Sequence, residues 1–185
     1  MNEARAQRIL VEEARRGRDV LTLAELGELF GEAPGGTRLR GTVARLVRGG
    51  ALVRALRGVY VCVLLREARI GDGRLRAVAA VARGERVTVE ALYSAASRWG
   101  LVNQVPYARV TCVTTGRRGS FQTPLGRIDY THTAMSGEEL LRRSIDDGSP
   151  LRLADRELTL EMLRRTGLDR IYDLVDEDGD DLWEA

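Results

Sequence analysis

The chain contains no lysine. All 29 basic residues are arginine, set against 27 acids and one histidine, for a net charge of +2. The absence of lysine counts against the commonest form of metal nuclease, which needs one near its carboxylates, so Asp129 and Glu139 are not read as such a site. Cysteine is nearly absent as well. Cys62 and Cys112 both lie in apolar, strand-like runs and read as small buried hydrophobes in a reducing compartment. Two cysteines and one histidine are too few for an ordinary structural zinc site. Long apolar runs are missing too. The longest, Val59 to Leu65, is far too short to span a bilayer, and Met1 to Arg5 offers no apolar signal core. No glycine-rich phosphate loop follows a strand, and no serine or cysteine has the neighbours of a catalytic triad. These absences lead to the expectation of a cytoplasmic protein that is not an enzyme and uses no cofactor or metal.

What is present begins with an asymmetry of charge. The chain has 185 residues, 44% of them apolar and 30% charged, enough for one large or two small globular domains. Residues 1–66 hold 12 arginines and 7 acids, whereas residues 67–185 hold 17 arginines and 20 acids. A basic front suits a polyanionic partner. Residues 169–185 carry 8 acids and one arginine, and the run Asp176 to Asp181 lacks the spacing and final glutamate of an EF-hand loop. It reads as a solvated tail.

The front part follows one helical pattern after another. Glu3 to Gly17 forms an apolar stripe through Ile9, Leu10 and Ala14, with Arg15, Arg16 and Arg18 placed to complement the helix dipole. Thr22 and Glu25 form a capping box for a short helix to Phe30. A Gly/Pro turn follows, then a helix from about Thr37 to Arg48, stopped by Gly49-Gly50. Two apolar runs, Ala51 to Arg54 and Val59 to Val63, complete the pattern of a winged helix-turn-helix over residues 1–66. At 100° per residue, Leu39, Val43, Leu46 and Val47 share one stripe of the second helix. Thr37, Arg38, Gly41, Arg45 and Arg48 lie opposite, with Arg40 at the border. An arginine face of this kind can pair with guanine or hold phosphates. The expected DNA-binding residues are Thr37, Arg38, Arg40, Arg45 and Arg48 on the helix, with Arg54 and Arg57 on the wing. Gly58 is expected to supply a positive φ, and Tyr60 to pack on the core.

The glycine-rich segment Ile70 to Gly73 marks an expected hinge. From there, residues 70–185 read as a small α/β domain with a mostly antiparallel sheet, which makes the whole chain α+β. Helices are expected over Arg74 to Arg83, Val89 to Trp99, Ser136 to about Ile145, and Asp155 to about Arg165. Strands are expected over Arg109 to Thr115, Ser120 to Thr123, Ile128 to Thr133 and Leu151 to Ala154, with a further turn or helix at Ile171 to Val175. Arg117-Arg118 occupy a turn that reads equally as a polar hairpin tip or a nucleic-acid contact. His132 shares the parity of Ile128 and Tyr130 and reads as a half-buried, satisfied histidine.

Two stretches carry a resemblance. The run Leu46 to Tyr60 ends in Arg57-Gly58-Val59-Tyr60. The second stretch, Ala91 to Val113, contains Ala95-Ala96, Gly100-Leu101 and Gln104-Val105-Pro106 before its strand. Together they resemble the AbiEi-type antitoxins of type IV toxin–antitoxin systems, in their short form of a winged helix plus one α/β module. The resemblance implies a bacterial, phage-defence antitoxin that represses its own operon by binding inverted repeats in the promoter. It also implies a nucleotidyltransferase-like toxin as partner, with which no stable complex is required. The alternative reading is a stand-alone winged-helix transcriptional regulator with a small dimerisation or sensing domain.

Overall fold

The computed structural model describes residues 2–65, 73–102 and 107–168. The proposed hinge residues Ile70 to Asp72, the Gln104-Val105-Pro106 part of the family pattern, the segment Ile171 to Val175 and the acidic run Asp176 to Asp181 lie outside the described residues. The chain is mixed α+β and divides into two compact units, Met1–Ala82 with Thr123–Leu125, and Arg83–Gln122 with Gly126–Ala185.

In the first unit, α1 (Glu3–Arg15) starts at Asn2, whose Oδ1 accepts from the Arg5 N–H at 2.9 Å. The strand β1 (Val20–Thr22) leads directly into α2 (Leu23–Phe30). The capping box is complete: Glu25 N–H donates to Thr22 Oγ1 at 3.2 Å, and Thr22 N–H donates to Glu25 Oε2 at 2.7 Å. Then come α3 (Thr37–Arg48), β2 (Leu52–Leu56) and β3 (Val59–Cys62). The three strands form an antiparallel sheet in the order β1-β3-β2. Strand β1 is an element that sequence periodicity does not reveal, because three residues are too few to show alternation. The helices close over a core that includes Leu10, Leu26, Leu39, Val43, Leu46 and Leu52.

The helix α4 (Gly73–Val81) belongs to this first unit, so the unit extends beyond residue 66. The physical reason is a buried ion pair. Asp19 is fully buried, and Arg74 Nε lies 3.0 Å from its Oδ2. Arg74 Nη2 also donates to the Leu65 carbonyl at 3.0 Å. A buried carboxylate without such a partner would be strongly destabilising.

The second unit is built on a sheet of order β6-β7-β5-β4-β9-β8. Its elements are β4 (Thr88–Glu90), α5 (Leu92–Arg98), β5 (Arg109–Thr114), β6 (Gly119–Thr123), β7 (Gly126–His132), α6 (Gly137–Arg142), β8 (Ser144–Ile145), β9 (Leu153–Ala154) and α7 (Arg156–Thr166). The sheet is mixed, and its longest described ladder, β5 with β7, is parallel from Arg109↔Arg127 to Thr114↔His132. Strand β7 takes the position between β5 and β6 because it carries the buried Ile128 and Tyr130, whereas β6 is largely exposed and suits an edge. Residues Thr88 to Glu90 form a strand, where the sequence pattern starts a helix at Val89. The α6 helix ends at Arg142, and Ser144-Ile145 pairs with β9. Asp155 caps α7 as expected, accepting from the Leu158 N–H at 2.6 Å. Val89, Val113, Leu92, Ala96, Leu158 and Met162 are among the residues of one core cluster.

Candidate nucleic-acid interface

The α3 helix is strongly two-faced. Leu39, Thr42, Val43 and Leu46 are buried, while Thr37, Arg38, Arg40, Ala44, Arg45, Val47 and Arg48 are exposed. Two positions differ from the helical-wheel expectation. Val47 is 36% exposed rather than part of the buried stripe, and Thr42 is buried in its place. On the wheel Val47 sits at the edge of the apolar arc, and β2 with β3 comes up beside that edge without covering it. The result is a shallow cleft of about 270 Å³ lined by Arg40, Val43, Ala44, Val47, Arg54 and Tyr60. Sequence reasoning assigned Arg40 and Arg54 to this surface but missed Ala44 and Val47 between them. The signal for Ala44 was available, since it lies opposite the buried stripe on the wheel, whereas Val47 falls at the edge of that stripe and carries no such signal.

The hairpin holds its arginines outward by register. Arg54 pairs across the ladder with Tyr60, and a bulge between Arg54 and Leu56 puts the extra residue, Ala55, in the interior. Arg57 is exposed at the turn beside Gly58, whose φ is +79°. The Gly58 carbonyl accepts from the Leu23 N–H at 2.8 Å, which ties the hairpin turn to the start of α2. Tyr60 is half-buried and packs against the core, as its position in the sequence implies. Thr37 and Arg38 line a second depression at the start of α3. Arg45 Nη2 donates to Thr42 Oγ1 at 3.3 Å.

Charge sets this surface apart. Residues 33–66 contain seven arginines and no aspartate or glutamate. Among the described residues, none of Arg38, Arg40, Arg45, Arg48, Arg54 and Arg57 forms an ion pair. Other arginines of the same unit do so. Arg16 and Arg18 lie 2.7 and 3.0 Å from the buried Glu13, and Arg74 is held by Asp19. Glu32 lines the depression at the start of α3 beside Arg38, and Glu3 reaches Gly49 at its end, but neither pairs with these arginines, and a cluster of unpaired like charges creates a positive potential that concentrates anions.

The second unit handles its arginines differently. Arg109 and Arg127 grip Asp129 at 2.8 and 2.9 Å, and Ser120 donates to the same carboxylate. Burial alone would raise the Asp129 carboxyl, but the hydrogen bonds from Ser120, Arg127 and Arg109 bring it below the usual carboxylate range. Arg98 bridges the buried Glu90 at 3.0 Å and Asp147. Arg143 lies 2.7 Å from Glu161. The Arg83 guanidinium lies over both Tyr130 and Phe121, 4.1 and 5.1 Å from their ring centroids, and the two rings meet edge to face. Arg117 and Arg118 are exposed in the loop between β5 and β6. His132 is exposed rather than half-buried, because it ends β7 beyond the covered part of the sheet, and its Nδ1 lies 2.9 Å from the Gly116 carbonyl. Cys62 and Cys112 are buried free thiols, and burial pushes the Cys62 thiol above its ordinary value. Among the described residues, no three His, Cys, Asp or Glu side chains are grouped to hold a metal, and no helix is long and apolar enough to cross a membrane.

No protein-family profile matches the chain, and no curated protein matches its sequence. The fold is similar to that of a solved structure, the RV2827C protein from Mycobacterium tuberculosis, with a TM-score of 0.60 and 21% identity. The alignment covers 85% of this chain and 59% of that one, so this chain spans well under two thirds of that protein's length.

Proposed function

We propose that the first unit is a winged helix-turn-helix that binds double-stranded DNA, with α3 as the recognition helix and the β2–β3 hairpin as the wing. The observation that carries this reading is the exposed arginine face of α3 and the adjoining hairpin, which has no carboxylate partner among the described residues. The order α1, β1, α2, α3, β2, β3 and the β1-β3-β2 sheet support it, since that arrangement leaves a helix face and a hairpin side by side. Thr37, Arg38, Arg45 and Arg48 face the groove, and Arg40, Arg54 and Arg57 hold the backbone. An unpaired arginine face gains by releasing the counterions condensed on DNA, whereas a face already neutralised by protein carboxylates does not.

The resemblance to AbiEi-type antitoxins extends the proposal. The protein represses its own operon by binding inverted repeats in the promoter and counteracts a nucleotidyltransferase-like toxin, acting as a nucleoid-associated cytoplasmic protein without enzymatic activity. Of the two stretches behind the resemblance, the second has a packing meaning in part: Ala95, Ala96 and Leu101 are buried. Its small residues let α5 lie against its neighbours, and packing of that kind also suits a stand-alone regulator. The test has two parts. Mobility-shift titration on the protein's own promoter should show binding by the parent, and at least about a 100-fold loss for Arg38→Ala/Arg45→Ala/Arg48→Ala. Unchanged binding by the triple variant removes α3 as the reading helix. Co-expression with the neighbouring gene should restore growth if the chain is an antitoxin. Promoter binding without growth rescue selects the regulator.

A further inference from the structure

Helices α2 and α3 each hold one glycine, Gly27 and Gly41, and only the first is explained by the protein's own packing. At Gly27 in α2, a Cβ would fall 2.9 Å from the Glu32 carbonyl oxygen and 3.2 Å from Leu39 Cδ2, so only glycine fits where α2 meets α3. Gly41 in α3 is different. It has a helical φ, and a Cβ there would meet nothing nearer than Arg45 Nη1 at 3.9 Å, the far end of a flexible side chain whose Nη2 donates to Thr42 Oγ1. Alanine would fit without strain, and glycine in a helix interior weakens the helix relative to alanine. Nothing inside the protein accounts for its presence, which directs attention to what lies outside.

Gly41 lies on a low row. Thr37, Gly41, Ala44 and Arg48 run along the middle of the exposed face, with Arg38 and Arg45 on one flank and Arg40 on the other. The side chains available for reading bases are few. From residue 33 to residue 66 there is no Asn, Gln, Asp, Glu, His or Ser. Adenine is read by Asn or Gln, and the cytosine amino group by an acid. Neither is available here. Arginine reads guanine through O6 and N7, and methyl groups such as those of Thr37, Ala44 and Val47 contact thymine. Arg38 and Arg45 are seven residues apart on nearly the same helical line, about 10 Å along the axis, which matches about three base pairs.

Building on the duplex-DNA reading above, we infer that α3 seats its low row against the major-groove floor at Gly41, and that Arg38 and Arg45 read two guanines about three base pairs apart. The specificity of the protein is therefore for guanine, with thymine as the neighbouring preference.

In vitro selection from a random-sequence duplex library with the full chain tests this. The retained duplexes should share guanine at two positions with that spacing. Arg38→Ala and Arg45→Ala should each relax one of the two positions by about 10-fold and leave the other selective. Gly41→Ala should raise the thermal midpoint by about 1–4 °C while weakening binding at least about 10-fold. A variant that is both more stable and a weaker binder cannot be explained by misfolding. Retained duplexes with no guanine at a fixed spacing, or equally tight binding by Gly41→Ala, would overturn the inference while the duplex-DNA reading stands. Failure to bind any duplex would overturn both.

Discussion

Two sets of arginines on one chain meet opposite fates. In the second unit, Arg109 and Arg127 share Asp129 on the sheet, and Arg98 of α5 joins Glu90 to Asp147. On α3 and the hairpin, six arginines stand exposed and form no ion pair among the described residues. The first set spends its charge inside the fold, where it neutralises half-buried or buried acids that would otherwise be costly. The second set forms no ion pair within the fold, and under the proposed function its charge meets DNA. Formal charge, which totals only +2, conceals this difference entirely. What separates the proposed binding surface from the second unit is whether each cation already has a counter-charge.

The comparison can be broken first at the level of function. Replacing Arg38, Arg45 and Arg48 together by alanine should leave the thermal midpoint within about 2 °C of the parent and remove at least about 100-fold of duplex affinity. Replacing Arg109 and Arg127 should do the reverse, lowering stability with little effect on binding. Anisotropy titration and thermal melting of both variants decide the matter. If the α3 variant proves less stable than the Arg109/Arg127 variant, the division of roles is wrong.

A second substitution acts on the hairpin that presents Arg54 and Arg57. Gly58 has a φ of +79°, and no atom would lie within 4 Å of an added Cβ, so the cost of a side chain there is conformational rather than steric. Gly58→Val should destabilise by about 1–3 kcal/mol, with binding falling in parallel because the hairpin is displaced. Lost binding at unchanged stability would instead make Gly58 a point of contact.

The smallest effect concerns Asp129 and depends on pH. Its carboxyl titrates below the usual range in the folded protein. The stability it contributes is therefore present above the unfolded value of about 4 and is lost as pH falls through the lower, folded value. Because Arg109 and Arg127 are about half exposed, the contribution is of order 1 kcal/mol at neutral pH. Asp129→Asn should lower stability by about that amount at pH 7, and the gap from the parent should close as pH drops below about 4. A constant gap between pH 7 and pH 3 would show that Asp129 acts through packing rather than charge.

The parts of the fold visible in the sequence are those with strong local punctuation. Thr22 and Glu25 mark the start of α2, Gly31 with a φ of +63° ends it, and Gly49-Gly50 ends α3, so these boundaries fall where the sequence places them. Strands β1 and β4 have three residues each and depend on pairing with β3 and β5, partners distant in sequence that no local pattern reveals. The insertion of β7 beside β5 is likewise a consequence of which strand has more apolar area to bury. At the candidate interface, the wheel places the arginines on the open face, but Val47 cannot be assigned from the wheel alone. Its exposure is decided by where the hairpin ends. The extension of the first unit to α4 rests on Asp19 and Arg74, 55 residues apart, which only the folded chain brings together.

The most direct test of the central claim is the salt dependence of duplex binding by the full chain. If the unpaired arginines of α3 and the hairpin contact DNA, log K should fall linearly with log salt concentration, with a slope between about −3 and −5. Arg54→Ala/Arg57→Ala should reduce the slope by about 1–2 units, and Arg109→Ala/Arg127→Ala should leave it unchanged. A slope near zero in the parent, or one that responds only to the Arg109/Arg127 pair, would contradict the account.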